Sequence, residues 1–324
     1  MIPTKTTMEI RRNGGIMVTF RGNRVLFDPT SKPTIKPDII AISHAHRDHY
    51  SISVLRYLKG TPVLISRPTL ELIFPRGIPK WLNYVEVYPG AEVEIGSLRI
   101  KAEEAGHIVG SLQFIIEDDP RVVFTGDFNP ESRIILAPAR VVKSDILIIE
   151  STYGALPYLF PDRSRLYRRL LEIVKRLLES EGSVIIGARS PGTAQEIVAL
   201  LSSSRLGATI YADERIYEHS IIHAKYDRIG LLIRRFELDK PHDIVVTRLG
   251  YSTRLSGRYS VVTCTGWMAQ SSDEKALPLS SHADLRGLMQ YVKLSNPSEV
   301  ITVYGFAREF ARILRDLGFN ARSL

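Results

Sequence analysis

The chain has 324 residues, enough for one large folding unit or two intimately joined ones. Hydrophobic residues make up 44% and charged residues 24%, which excludes a disordered or low-complexity chain and leaves ample material for a core. Lys and Arg outnumber Asp and Glu by 43 to 35; the net charge of +8 suits a polyanionic partner, because each neutralised phosphate releases counterions. The surplus is shared evenly between residues 151–278 and the remainder, so charge alone marks no binding segment. No apolar run approaches the ~20 residues that cross a bilayer, so no membrane is expected. Met1–Met8 has no apolar core of a secretory signal. The single cysteine, Cys264, lies in the apolar run Val261–Cys264 without an internal disulfide partner. A buried thiol and a reducing, cytoplasmic compartment are therefore expected.

The first half reads as short strands. Ile16–Phe20 and Arg24–Phe27 flank Gly22-Asn23, a hairpin signal. Further strands are predicted at Ile39–Ile42, Val63–Ile65, Leu112–Ile116, Val122–Phe124 and Ile146–Ile149, and Ile52, Leu55 and Leu58 make the apolar stripe of a helix. The second half changes rhythm. Leu166, Leu170, Ile173 and Leu177 recur at helical spacing between Asp162 and Gly182. Helices at Thr193–Leu201, Leu285–Leu294 and Ala307–Leu317 alternate with strands at Val184–Ile186 and Ile301–Val303. Polar residues of interest stand just after strands: His44, Asp127, Glu150 and Arg189. Strand ends gathered on one edge of a sheet, with their loops converging, make an active-site rim.

Three of the eight histidines fall within His44-Ala-His46-Arg-Asp48-His49. In extended backbone, residues two apart point the same way, so His44 and His46 can reach one cation. A turn after Arg47 swings Asp48 and His49 toward a neighbouring position. Imidazole with carboxylate suits Zn²⁺, with Mn²⁺ or iron as other occupants. His107 lies in Ala105-Gly-His-Ile-Val-Gly-Ser111 and Asp127 in Phe124-Thr-Gly-Asp127; taken singly, each also reads as a turn or core residue. Asp28, before Pro29, is placed to orient a ligand histidine from behind.

These three segments, in this order, resemble motifs 2, 3 and 4 of the metallo-β-lactamase superfamily, with Asp28 as motif 1. The resemblance implies an α/β fold, the αββα sandwich. It also implies that His44, His46 and His107 hold a first metal and Asp48 and His49 a second, with Asp127 bridging. Glu150-Ser-Thr-Tyr-Gly154 resembles motif A of the β-CASP nucleases, Gly192-Thr-Ala-Gln-Glu196 their GxxQE segment, and Leu279-Ser-Ser-His-Ala-Asp284 their motif B. Such a chain would carry an inserted β-CASP domain at 155–278 within a metallo-β-lactamase domain of 1–154 and 279–324, with nucleic acid entering between them. Tyr153–Tyr158 and Gly266-Trp-Met268 look like the ligase-associated DNA exonuclease group, also described as mRNA 3′-end processing factor-like. Motif C departs from the pattern: Tyr304-Gly305 stands where RNA-processing members and the ligase-associated group typically have His-Gly. A neutral phenol is a poor zinc ligand, so a weaker second Zn²⁺ is expected.

The resemblance implies a metal-dependent hydrolase of phosphodiester bonds, a DNA exonuclease in DNA repair or processing, with repair or ligase partners. Alternatives are an RNA-processing or RNA-degrading ribonuclease, a non-catalytic nucleic-acid-binding protein and a small-molecule ester hydrolase. Asp127 would orient the attacking group, and His282, held by Glu150, would protonate the leaving oxygen. His282 also reads as a helix-start residue beside a Ser281/Asp284 cap. Ser111, Arg189 and Tyr304 are expected substrate contacts, Arg189 reading as readily as a surface arginine. Trp267 reads equally as a base-stacking or a core residue.

Overall fold

Alternate residues of each strand meet different layers in the computed structural model, which describes residues 8–227, 230–238 and 240–324. The first sheet runs β1 (Met8–Arg12), β2 (Ile16–Phe20), β3 (Asn23–Phe27), β4 (Ile39–Ala41), β5 (Val63–Ile65) and β6 (Tyr84–Glu86), in that order. Helices α1 (Ile52–Tyr57) and α2 (Arg67–Ile73) pack on its outer face. A second sheet begins with β7 (Glu92–Ile95), β8 (Leu98–Glu104), β9 (Leu112–Ile116), β10 (Val122–Phe124) and β11 (Ile146–Glu150). Along β2, Ile16, Val18 and Phe20 face this second sheet, meeting Ile100, Leu112 and Phe114, while Met17 between them joins Val54, Leu55 and Leu70 of the helical layer. Period-two alternation in the sequence thus sorts side chains into two cores. Phe27 and Phe124 stack across the sheet interface at 4.6 Å.

After Glu150 the chain builds a third sheet. Helix α3 (Arg163–Glu181) leads to β12 (Val184–Ala188), α4 (Thr193–Ser203), β13 (Ile210–Ala212) and α5 (Glu214–Asp227). Then come β14 (Ile233–Arg235), β15 (Ile244–Arg248), α6 (Leu249–Leu255), β16 (Val261–Cys264) and β17 (Ala276–Leu277). The strands pair in parallel in the order β14-β13-β15-β12-β16-β17. Val184, Ile186 and Val246 face α3, α4 and α5; Ile185 and Val245 face Leu255 of α6. Strands covered on both faces read as continuous apolar runs, as Val184–Ala188 does. The chain then returns. Helix α7 (Leu285–Ser295) and α8 (Ala307–Asp316) cover the outer face of the second sheet, and between them β18 (Glu299–Val303) lies parallel to β11, with β19 (Ala321–Ser323) beyond it.

The chain therefore has an α/β fold: an αββα sandwich plus a parallel sheet inserted between β11 and β18. Three local expectations shift. The hairpin turn is Arg21-Gly22, one residue earlier than read, because Asn23 pairs with Phe20. β4 stops at Ala41, and β12 runs on to Ala188. Cys264 is buried in β16, and burial pushes its thiol up to about 12. Among the described residues no helix is long and apolar enough to cross a membrane.

Candidate metal centre

Strand ends converge on one edge. His44 and His46 follow β4, His107 follows β8, Asp127 follows β10, Glu150 ends β11 and Tyr304 follows β18. In the second sheet β8, β10, β11 and β18 all point the same way, so their C-terminal loops meet. Gly126, at φ 54°, lets the loop bearing Asp127 press on the first sheet: a Cβ there would lie 2.5 Å from Cβ of Ser43.

Each histidine has its outer nitrogen tied down. His46 donates from Nε2 to Pro191 O at 2.9 Å, and His107 from Nδ1 to Ser281 O at 3.0 Å. His49 donates from Nδ1 to Asp28 Oδ2 at 2.7 Å. Ser43 Oγ donates to Asp28 Oδ2 at 2.6 Å and so accepts from His44 Nδ1 at 2.9 Å. Those bonds fix the tautomers and leave a lone pair on each inner nitrogen. The inner nitrogens nearly touch: His46 Nδ1 is 3.0 Å from both His44 Nε2 and His107 Nε2. Lone pairs at that distance repel, and a shared cation is what such a donor set accommodates. Burial lowers the pKa of His44, and that of His46 and His107 well below the usual value, the form a metal needs.

Asp127 stands at the junction. Its Oδ2 lies 3.4 Å from His44 Nε2, 3.2 Å from His49 Nε2 and 3.7 Å from both His107 Nε2 and His282 Nε2. Burial opposes its ionisation, but His49, His282 and His44 outweigh that and hold the carboxyl well below its usual range. Two buried groups result, one of His44, His46, His107 and Asp127 and one of Asp28, His44 and His49; Asp127, Glu150 and His282 make a third. These buried clusters suit a binuclear metal site.

His282 completes the far wall. Its Nδ1 lies 3.0 and 3.2 Å from the two oxygens of Glu150, while its buried Nε2 has no hydrogen-bond partner among the described residues. Burial disfavours its charge, but Glu150 and then Asp127 outweigh burial and raise its pKa. Asp284, not Ser281, caps α7, accepting from Gly287 N at 2.8 Å.

Two expected site residues stand apart from these groups. Asp48 stands outside the three groups: its side chain is 60% exposed and ion-paired to Arg189 at 3.1 Å, because the turn after His46 aims it at the rim. Ser111 is buried, and its oxygen accepts from His107 N at 3.0 Å and Ile108 N at 3.2 Å, so it shapes the His107 loop instead of facing a substrate. Arg189 lines a cavity of about 480 Å³ beside His46, together with Arg47, Arg215, Arg248 and His219. Tyr304 sets its ring edge-on to His49 at 5.0 Å, and burial pushes its phenol well above the usual value.

One group escapes sequence reading. Arg133, buried in the irregular segment before Ala139, donates from Nη2 to Gly106 O at 2.7 Å and His107 O at 2.6 Å, and from Nη1 to Glu196 at 3.1 Å. Arg163 reaches the other oxygen of Glu196 at 2.5 Å and Ser280 O at 2.8 Å. No periodicity or motif around Arg133 signals this.

A sandwich with a buried His/Asp centre at its strand ends defines a metallohydrolase fold. The Beta-lactamase superfamily domain model matches residues 15–158. The chain is 26% identical over 297 residues to a "Probable DNA ligase" of Opitutus terrae, covering 86% of this chain and 28% of that protein. It is 30% identical over 211 residues to an "RNase J-like protein" of Methanocaldococcus jannaschii, covering 58% of this chain and 48% of that one. The chain thus spans less than half the length of either relative. A crystal structure of a protein of unknown function from Enterococcus faecalis V583 superposes with a TM-score of 0.65 at 12% identity, over 99% of this chain and 98% of that one, which shows the fold alone. Residues 15–158 thus carry a domain like those of the metallo-β-lactamase superfamily, and the similar curated proteins are β-CASP relatives.

Proposed function

We propose that this chain is a metal-dependent nuclease, most simply a DNA exonuclease, with residues 155–278 as an inserted domain against a sandwich of 1–154 and 279–324. The observation that carries the reading is the His282–Glu150 pair, facing Asp127 with an unpartnered Nε2. An ester hydrolase using the same metals would not need that pair. A Zn²⁺ or Mn²⁺ pair would supply Lewis-acid charge to a phosphodiester. His44, His46 and His107 would hold one ion, His49 the other, and Asp127 would lie between them. Glu150 favours the charged form of His282, which would hold a proton at Nε2 for a departing alkoxide oxygen. Asp28 keeps His49 aligned through Nδ1. Arg189, in the cavity beside His46, would meet a flanking phosphate, and Tyr304 would close the side of the site where a histidine ligand is missing.

The DNA preference is supported by similarity over most of the chain to a protein named as a DNA ligase. RNA is the second reading, favoured by the similarity to a protein named as RNase J-like. The test is incubation with 5′- and 3′-labelled single- and double-stranded DNA and RNA in Zn²⁺, Mn²⁺ or Mg²⁺. Shortening of DNA from one end is expected, and its loss in Asp127→Ala. Equal cleavage by that variant would sink the reading.

A further inference from the structure

Beyond His282 a chain of aromatic rings leads outward. Tyr153, buried after β11, sets its ring perpendicular to His282 at 5.9 Å between centroids. It meets Tyr158 at 5.2 Å and Trp267 at 4.9 Å. Trp267 in turn lies 5.4 Å from Tyr158 and 6.3 Å from Phe306, and Tyr158 lies 5.3 Å from Phe306. The outer end is bare: Trp267 is 50% exposed, and Leu156 and Leu159 are 70% and 42% exposed. The arrangement is built into the chain. Gly266 lies so close to Tyr153 that a Cβ would come within 2.4 Å of the ring, and the missing side chain lets Trp267 settle against it.

We propose that Trp267, Tyr158 and Phe306 form a stacking platform for the bases of a single-stranded nucleic acid whose backbone passes His282. The proposal rests on the nuclease reading and names its substrate form. Every base has a π-face that an indole or phenol can cover, at ~1–3 kcal/mol per base. In a duplex those faces are already stacked on neighbouring pairs, so only unpaired bases can lie on Trp267. The patch is continuous with the candidate site through Tyr153 and His282, and the cavity beside His46 sets Arg47, Arg189, Arg215 and Arg248 against Asp48, Glu214 and Glu218, a lining with one cation in excess for the backbone. Aromatic rings and cations flanking one hydrolytic centre match the two halves of a nucleotide.

The experiment is a fluorescence titration of the Zn²⁺-loaded protein with cleavage-resistant phosphorothioate strands, in a Trp81→Phe background that leaves Trp267 as the only indole. The probes are a twelve-residue oligothymidylate and an abasic strand of equal length. Oligothymidylate should quench the emission and bind about 5- to 150-fold tighter than the abasic strand, the equivalent of one stacked base. In the Trp81→Phe background, followed by anisotropy of labelled strands, Trp267→Leu should remove that advantage and Trp267→Tyr should keep part of it. Equal affinity for the two strands overturns the platform, as does a Trp267→Leu protein of unchanged circular dichroism that still prefers oligothymidylate. Emission that responds to protein concentration but not to oligothymidylate marks a self-association face and overturns it as well. Any of these results in a protein that still cleaves labelled nucleic acid defeats the platform alone; absence of both binding and cleavage defeats the nuclease reading with it.

Discussion

His282 and Glu150 make the mechanism testable one residue at a time. His282 is not needed to gather the three inner nitrogens of His44, His46 and His107, so His282→Gln should keep metal in that group. Cleavage should fall ~10²–10⁴-fold, the usual range for a lost proton donor. Metal analysis beside a single-turnover rate checks both halves; a rate within twofold of the parent refutes the assignment. Glu150→Gln should cost less, since an amide oxygen can still accept from Nδ1 without favouring the charge. His219 offers a separate pH test away from the ligands. Burial, then Arg215, lowers its pKa to about 4, while the ring stays bonded to Ser190 at 2.9 Å. Above pH ~6.5 it is neutral in both states and its contribution is complete. As pH falls from 6.5 toward 4 the unfolded chain takes the proton first, so stability drops, by up to about 3 kcal/mol. His219→Asn should flatten the parent's loss of urea stability between pH 7 and 4.5; parallel curves would remove His219 as a cause.

Among elements, the strongest join is the Glu196 carboxylate between Arg133 and Arg163. It links α4 to α3, to the His107 loop and to the Ser280 carbonyl, with Tyr167 also donating to Glu196. Glu196→Ala leaves two buried guanidinium groups facing each other and should cost ~3–5 kcal/mol, read from a urea midpoint. Glu196→Gln should cost less, and both should weaken metal binding because Arg133 shapes the loop that carries His107. An unchanged midpoint in Glu196→Ala would show that the network contributes nothing net. Legibility in the sequence follows range. His44, His46 and His49 lie within one short segment, and Asp127 and Glu150 are flagged by the apolar strands before them; His107, whose strand was not predicted, was singled out by its flanking glycines and the family resemblance. The pairing of Asp48 with Arg189 spans 141 positions, and no local pattern encodes it. Arg133 was missed for the same reason, its segment having no period and its acid lying 63 positions on. Between 200 and 260 the three-residue strands β13 and β14 are too short for alternation to show.

For the whole molecule, the inward lone pairs predict a stability that rises with bound metal. His44 and His46 hang from the first sheet, His107 and Asp127 from the second, and His46 also holds Pro191, just after β12 of the third. A cation held there would fasten loops from both sheets of the sandwich, and the bond to Pro191 would carry that constraint to the inserted sheet. Without it the nitrogens 3.0 Å apart must separate or share a proton, and either change loosens the loops. Zn²⁺ at ~1,000 times its dissociation constant should add about 4 kcal/mol. In a chain of this size that is a rise in melting temperature on the order of 10 °C over chelator-treated protein. His46→Ala should lose most of the rise, since it removes both the central nitrogen and the bond to Pro191. Because the tie spans all three sheets, the rise should appear in one cooperative transition; a gain confined to an early, partial melting step would mean that the third sheet unfolds independently of the centre.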